Sequence, residues 1–335
     1  SSRVVFVIGG RVITCFNKCI LKDFLGKNCV FSSSRDLSTT CATNMKFVQF
    51  TYNDKPGEIR AGYVEGDKVV DLNKSDPSLA QDLLGILKSN DLEKVKNIKP
   101  SNPQSVPLSS VRLAAPITGM DKVICIGLNY RDHCEEQNIT VPEVPMFFSK
   151  FSSTVIGPND AVKLRTDVTR VTRENHWEVE LTVVIGKTAS GVKAADAYEY
   201  ILGYTVAQDI SGRDWQKKKN GGQFLLGKSM DTFCPIGPWI VTGEEVGDPQ
   251  KLNIQCSLNG TVKQKSNTVQ LVNKIPDVIE RLTSVMTLLP GDIILTGTPG
   301  GVGMFRDPPE YLKPGDELVS EIANIGTLTT RIEKF

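Results

Sequence analysis

Apolar positions along the chain fall into short runs, and most have the two-residue spacing of a strand. Lys46-Phe47-Val48-Gln49-Phe50 alternates, and Gly62 to Leu72 alternates on either side of Gly66-Asp67, which predicts a hairpin. Leu79, Leu83, Leu84 and Leu87 have helical spacing and predict a short amphipathic helix. Lys122 to Gly127 is an apolar strand ended by glycine and followed by a helix-like stretch over 128–137. Val179 to Ile185 is β-branched and apolar up to Gly186, and Tyr200 to Gln208 is a second buried strand that ends on Asp209. Leu258-Asn259-Gly260-Thr261 signals another hairpin. Pro276 opens a helix with Val278, Ile279, Leu282, Val285, Met286 and Leu289 on one face, stopped by Pro290-Gly291-Asp292. Ile293-Ile294-Leu295 then runs into a glycine-rich loop reaching Gly303, and Lys313-Pro314-Gly315-Asp316 is a turn before the last strands. No internal repeat is visible.

These patterns divide the chain into three stretches. Residues 45–112 form a small β-rich N-terminal unit whose polar segment 97–107, with Pro100, Pro103 and Pro107, reads as a linker. This unit shows no catalytic constellation and reads as a companion or cover to the main domain, 113–335. Residues 1–44 differ from both. They hold Arg3, Arg11, Lys18, Lys22, Lys27 and Arg35 against only Asp23 and Asp36, and end in a Ser/Thr-rich tract over 32–40. Basic, serine-rich and poor in acids is the composition of a mitochondrial transit segment. A secretory signal and a tail without an address are the competing readings. Arg11 breaks the apolar run after Val4, which argues against a membrane span.

With 335 residues, the chain is long enough for two domains or for one large domain and a small companion. Its net charge of +1 gives no electrostatic case for nucleic acid or an anionic membrane, and without 1–44 the body sits near about −3. None of the eight cysteines has CxxC spacing, and four lie before residue 45, which suits a reducing compartment and argues against structural zinc. His133 and His176 are the only histidines, so a histidine-rich zinc site is ruled out.

The candidate chemistry begins on the strand at 178. Glu178, Glu180 and Thr182 alternate onto one face, while Trp177, Val179 and Leu181 take the other. Two neighbouring carboxylates repel each other, and burial penalises each further; a hard divalent cation resolves both problems. A solvated strand edge is the competing reading. Asp209, at the end of the next strand, is either a helix cap or a third oxygen ligand. His133 and Glu136 stand at i and i+3, an arrangement suited to a general base oriented by an acid, or else to a polar surface turn. Lys228, placed after a glycine turn at Gly227, is a surface lysine or a cation meeting a substrate carboxylate or enolate. The glycine-rich loop lets backbone N–H groups approach an anion but lacks the Lys-Ser/Thr ending of a nucleotide loop.

Taken together and in order, IGLNYRDHCEE (126–136), FFSKF (147–151), HWEVELTVVIGK (176–187), LGYTVAQDISGRDWQ (202–216), LLGKSMDTFCPIGP (225–238), LNGTVKQ (258–264), PGDIILTGTPGGVG (290–303) and LKPGDEL (312–318) resemble the fumarylacetoacetate hydrolase family across 113–335. The resemblance implies an α+β fold, a mixed β-roll with flanking helices, usually as a homodimer. It implies Glu178, Glu180 and Asp209 as ligands of Mg²⁺ (or Ca²⁺ or Mn²⁺), and His133 with Glu136 and Lys228 as the catalytic set. Arg213, Gln216 and Thr298 fall on substrate-contacting positions. His176 stands where many members carry Asp. Leu128 stands where some acylpyruvase-like members carry arginine, and that difference weakens the case for acylpyruvate hydrolysis. The implied substrate is a small 2-oxo dicarboxylate, handled through an enolate stabilised by the ion, in the mitochondrial matrix. One such site supports tautomerisation, decarboxylation or hydrolytic C–C cleavage. Oxaloacetate enol–keto tautomerisation is the favoured expectation. C–C hydrolase, oxaloacetate decarboxylase and a metal-binding relative without catalysis are the alternatives.

Overall fold

The computed structural model describes residues 4–8, 11–15, 45–98, 104–165 and 174–335. Contacts divide the chain into two units, Ser1–Ala42 and Thr43–Phe335. In the first, Val4–Ile8 pairs antiparallel with Arg11–Cys15. The rest of residues 1–44, including the tract at 32–40, and residues 99–103 of the segment read as a linker lie outside the described residues, whereas Ser105–Pro107 of that segment is a strand paired with Lys68–Asp71 and not linker. No helix among the described residues is long and apolar enough to cross a membrane.

The second unit is an α+β fold built on two sheets. The strands used below are, in chain order, β1 (Lys46–Tyr52), β2 (Arg60–Glu65), β3 (Lys68–Asp71), β4 (Val123–Gly127), β5 (Met146–Lys150), β6 (Val179–Ile185), β7 (Ile201–Gln208), β8 (Cys234–Val241), β9 (Asn253–Leu258), β10 (Thr261–Asn267), β11 (Ile293–Leu295), β12 (Glu317–Ile322) and β13 (Gly326–Lys334). The helices used below are α1 (Leu83–Lys88), α2 (Arg131–Glu136), α3 (Leu225–Lys228) and α4 (Ile275–Thr283). Starting from an edge at Ser105–Pro107, the central sheet runs β3-β2-β1-β8-β7-β6-β11-β4-β5. It is mixed, because β11 and β4 pair parallel whereas β6 is antiparallel to both β7 and β11. The strands of 45–112 therefore continue the sheet of the main domain, joined where β1 pairs with β8 through Phe47 and Ile240. The second sheet orders Ala161–Leu164, β13, β12, β9 and β10.

Alternation along β6 explains how the layers stack. Val179, Leu181, Val183 and Ile185 enter the core shared with the second sheet, alongside Ile254, Leu318 and Leu328. Val184 turns to the opposite core, where α1 contributes Leu83, Leu84 and Leu87 over Cys125, Ile236 and Leu295. All seven β6 residues are buried, as expected of a strand covered on both faces.

Two turns follow the sequence directly. Glu65 pairs with Lys68 around Gly66-Asp67, and Leu258 pairs with Thr261 around Asn259 (φ 50°) and Gly260 (φ 79°). Two consecutive left-handed residues are what a type I′ hairpin turn requires. The predicted helix at 276–289 is shorter than its apolar spacing suggests: α4 stops at Thr283. There Thr283 Oγ1 donates to the Ile279 carbonyl and accepts the Val192 N–H, tying the helix end to another loop. Val285, Met286 and Leu289 consequently lie outside the helix, with Val285 78% exposed.

The N-terminal strands are pinned by a buried ion pair. Asp71 accepts Arg60 Nε at 2.6 Å and Nη2 at 3.0 Å, the Tyr52 hydroxyl at 2.7 Å and the Lys74 N–H at 2.9 Å. Burial works to raise the Asp71 carboxyl, but Arg60 and the other donors outweigh it and hold the group below the usual carboxylate range. A depressed carboxylate contributes its stability in full above its unfolded pKa of about 3.9 and loses it as pH falls through the folded value. We predict that Asp71→Asn destabilises the protein by about 3–5 kcal/mol at pH 7 in urea denaturation. The difference from wild type should narrow as pH drops below about 4. An unchanged midpoint at pH 7 would show that the pair carries no stability.

Candidate active site

Strand register assembles the acidic centre. In the β6–β7 pair Val179 faces Gln208 and Glu180 faces Ala207, so Glu178 and Asp209 follow as the next opposed positions. Their backbones remain bonded, Asp209 N–H to the Glu178 carbonyl at 2.9 Å. Two-residue alternation then puts Glu178, Glu180 and Asp209 on one face. All three are buried, and one oxygen from each lies within 4.8 Å of the others. The solvated-edge reading of this strand is thereby excluded.

Three cations reach into the cluster from separate elements. Lys228, on α3, donates to Glu178 Oε2 at 2.8 Å and Asp209 Oδ2 at 2.6 Å. Lys150, the last residue of β5, donates to Asp209 Oδ1 at 2.6 Å. Arg213 donates to Glu178 Oε1 at 2.7 Å. Burial alone would raise the Glu178 carboxyl, but Lys228 and then Arg213 overcome it and hold the pKa at about 2. Burial likewise opposes the charge on Lys228, and Asp209 and Glu178 restore it. Glu180 differs. Its Oε2 accepts the Gly297 N–H at 2.7 Å, and burial, then Asp209 and Glu178, push its carboxyl well above the usual range. The donor set suits a hard divalent cation: three carboxylates whose oxygens converge, one of them short of positive charge. Mg²⁺, Ca²⁺ or Mn²⁺ fits these residues, and among the described residues this is the only such cluster.

Beside the centre, α2 carries His133 and Glu136 one turn apart. His133 Nδ1 lies 2.6 Å from Glu136 Oε1, and Glu136 Oε2 accepts the Gly301 N–H at 2.7 Å. The Gly-rich loop thus binds anions as its composition predicts, but the anions are the protein's own carboxylates, Glu180 at Gly297 and Glu136 at Gly301. Phe305, which follows that loop, links the two halves of the site. Its ring meets the His133 ring edge-on at 5.8 Å and lies 5.9 Å from the Arg213 guanidinium.

The remaining sequence candidates have defined places. Arg213 Nη1 donates to Gln216 Oε1 at 2.6 Å, and Arg213 Nε donates to His176 Nε2 at 2.5 Å. That contact leaves the His176 proton on Nδ1, which lies 3.8 Å from Glu178 Oε1. Burial, then Arg213 and Lys228, depress the His176 pKa well below its usual value, so the ring is neutral. Thr298 Oγ1 donates to the Val179 carbonyl at 3.0 Å and accepts from Gln264 at 2.8 Å. Its hydroxyl ties the Gly-rich loop to β6. Gly227, expected to make a turn before Lys228, instead lies within α3. A Cβ there would meet Gln216 N at 2.5 Å and Gly212 O at 2.7 Å, so glycine lets α3 approach closely enough to seat Lys228.

Sequence reasoning missed Lys150 and Gln137. Lys150 was legible only as a charge closing an apolar strand. The Gln137 amide, at the C-terminal cap of α2, reaches the His133 ring Nε2 at 3.0 Å.

Comparison with known proteins identifies relatives of the chain as a whole. Residues 122–333 match the family model described as fumarylacetoacetate (FAA) hydrolase C-terminal. "Oxaloacetate tautomerase fahd2, mitochondrial" of Xenopus laevis is 44% identical over 301 residues, covering 89% of this chain and 93% of that protein. "Oxaloacetate tautomerase FAHD2A, mitochondrial" of Homo sapiens is 46% identical over 269 residues, covering 80% and 84%. Among solved structures, the 2-hydroxyhepta-2,4-diene-1,7-dioate isomerase of Mycobacterium marinum is similar at a TM-score of 0.68. It is 33% identical, with 87% of this chain and 98% of that chain covered.

We predict that Glu178→Gln, which removes a hard anionic ligand but keeps its shape, weakens Mn²⁺ binding by at least about a hundredfold in calorimetric titration. A circular dichroism spectrum should confirm a folded variant. Wild-type affinity in that variant would remove Glu178 from the metal set.

Proposed function

Because the chain belongs to the fumarylacetoacetate hydrolase family, we propose that it is a divalent-metal-dependent isomerase interconverting the enol and keto forms of oxaloacetate. The observation that carries this reading is the buried Glu178–Glu180–Asp209 set beside the His133–Glu136 pair. The relatives named oxaloacetate tautomerase support the substrate, and the dioate isomerase supports isomerisation of a dicarboxylate.

Glu178, Glu180 and Asp209 would hold Mg²⁺, Mn²⁺ or Ca²⁺, which when bound supplies Lewis acidity to a 2-oxo acid. The chain's own groups do the rest. Keto-to-enol conversion removes a proton from C3, forms the C2–C3 double bond and places a proton on the 2-oxygen. His133 is the proton carrier, and Glu136 holds its Nδ1–H and stabilises the imidazolium. Lys228 adds fixed positive charge where the enolate oxygen develops. Arg213, aligned by His176 and Gln216, lines the same site, and Thr298 holds the loop beside it. Burial of this constellation keeps bulk water from competing for the enolate. The relatives' mitochondrial names and the basic, serine-rich composition of 1–44 support a mitochondrial, matrix address, with 1–44 as the transit segment. Family resemblance supports a homodimer.

The test uses metal-stripped, Mg²⁺-restored protein with freshly dissolved enol-oxaloacetate. We expect rapid loss of enol absorbance without pyruvate or CO₂, and a fall of about 10²–10⁴ in kcat for His133→Asn. Pyruvate released in step with enol loss would replace the tautomerase reading with decarboxylation. No enol loss would move the proposal to C–C hydrolysis or to a relative without catalysis.

A further inference from the structure

Both nitrogens of the His133 ring are engaged, and the partners are not equivalent. On one side Glu136, with Oε2 already accepting the Gly301 N–H, presents Oε1 to Nδ1 at 2.6 Å. An ionised carboxylate only accepts, so Nδ1 carries the ring proton and Nε2 carries a lone pair. On the other side Gln137 Nε2 lies 3.0 Å from His133 Nε2 and 3.1 Å from the His133 carbonyl oxygen. The carbonyl also only accepts, so it sets the amide orientation: the NH₂ group, not the oxygen, must face it. One hydrogen then goes to the carbonyl and the other to the Nε2 lone pair. A proton on Nε2 would meet an amide N–H head-on.

We infer that Gln137 is a positioning residue that fixes the His133 ring as its Nδ1–H tautomer and so keeps Nε2 available as the proton-accepting nitrogen. Glu136 and Gln137 act on the same equilibrium from opposite sides of the ring. Gln137 is suited to this by its place, one turn after His133 and with its backbone N–H bonded to the Cys134 carbonyl at 3.2 Å. The amide stays on the carbonyl when a substrate proton takes its place at Nε2. The inference rests on His133 being the proton carrier.

The test is ring ¹⁵N NMR of the full chain with labelled histidine, in its Mg²⁺ form, beside steady-state kinetics. With only His133 and His176 present, His133→Asn assigns the signals. Gln137→Met keeps the side-chain length and removes the donor. It should let the Nε2–H tautomer appear and lower kcat about three- to tenfold, with KM unchanged. Gln137→Glu puts an acceptor opposite Nε2, should show Nε2 protonated, and should lower kcat about a hundredfold. A residue serving helix stability alone would change the melting temperature and leave the ring signals in place. Wild-type His133 ¹⁵N signals in both variants overturn the inference. Full activity in His133→Asn would instead overturn the proton-carrier reading, while the ring signals would still report on Gln137.

Discussion

Three carboxylates held out of water on one strand pair constrain everything around them. At separations near those of Glu178, Glu180 and Asp209, each ionised pair repels by roughly 3–4 kcal/mol at an effective dielectric of about 20. The repulsions together rival the whole stability of a typical domain, about 5–15 kcal/mol. Such a cluster exists only because other elements bring charge to it. β5 supplies Lys150, α3 supplies Lys228, and the segment after β7 supplies Arg213. The close seat of α3 on Gly212 and Gln216 is thus an electrostatic requirement as much as a packing one.

The same constraint explains the Gly-rich loop. Glu180 has no side-chain cation within bonding distance among the contacts described, and the Gly297 amide is its compensating donor. Four residues on, the Gly301 amide does the same for Glu136, and Trp177 Nε1 donates to the Gly301 carbonyl at 3.2 Å. One loop thereby fixes a metal-facing carboxylate and the carboxylate that orients His133. Thr298 anchors it to the backbone of β6 between the two acidic residues. The two halves of the site are held in register by the backbone amides of this loop together with the Thr298 hydroxyl and the Phe305 ring.

What the sequence made legible follows from this. Glu178, Glu180 and Asp209 were readable because strand periodicity is local and antiparallel register is set by the flanking apolar runs. The His133–Glu136 pair was readable because helical spacing is local too. Lys150 and Gln137 were not, since their roles depend on where a distant strand end or a neighbouring ring points. The run to Leu289 misled because periodicity cannot register that Thr283 already bonds Val192 across the fold and ends α4. Gly227 misled for a related reason: a glycine required for close approach looks in sequence like one required for a turn.

His176 shows how charge is distributed in this chain. A carboxylate at that position would add a further negative charge to a buried cluster whose acids already depend on three cations. A neutral imidazole still accepts from Arg213 Nε and aims its guanidinium at Glu178, without drawing on that positive charge. With all three acids ionised, the carboxylates and cations cancel, and a divalent ion held there would leave the inner cluster with two positive charges. An oxaloacetate dianion would restore neutrality on binding, whereas a 2-oxo monocarboxylate would not. In a buried site that difference acts at low effective dielectric, so charge balance alone favours a dicarboxylate, in keeping with the proposed substrate.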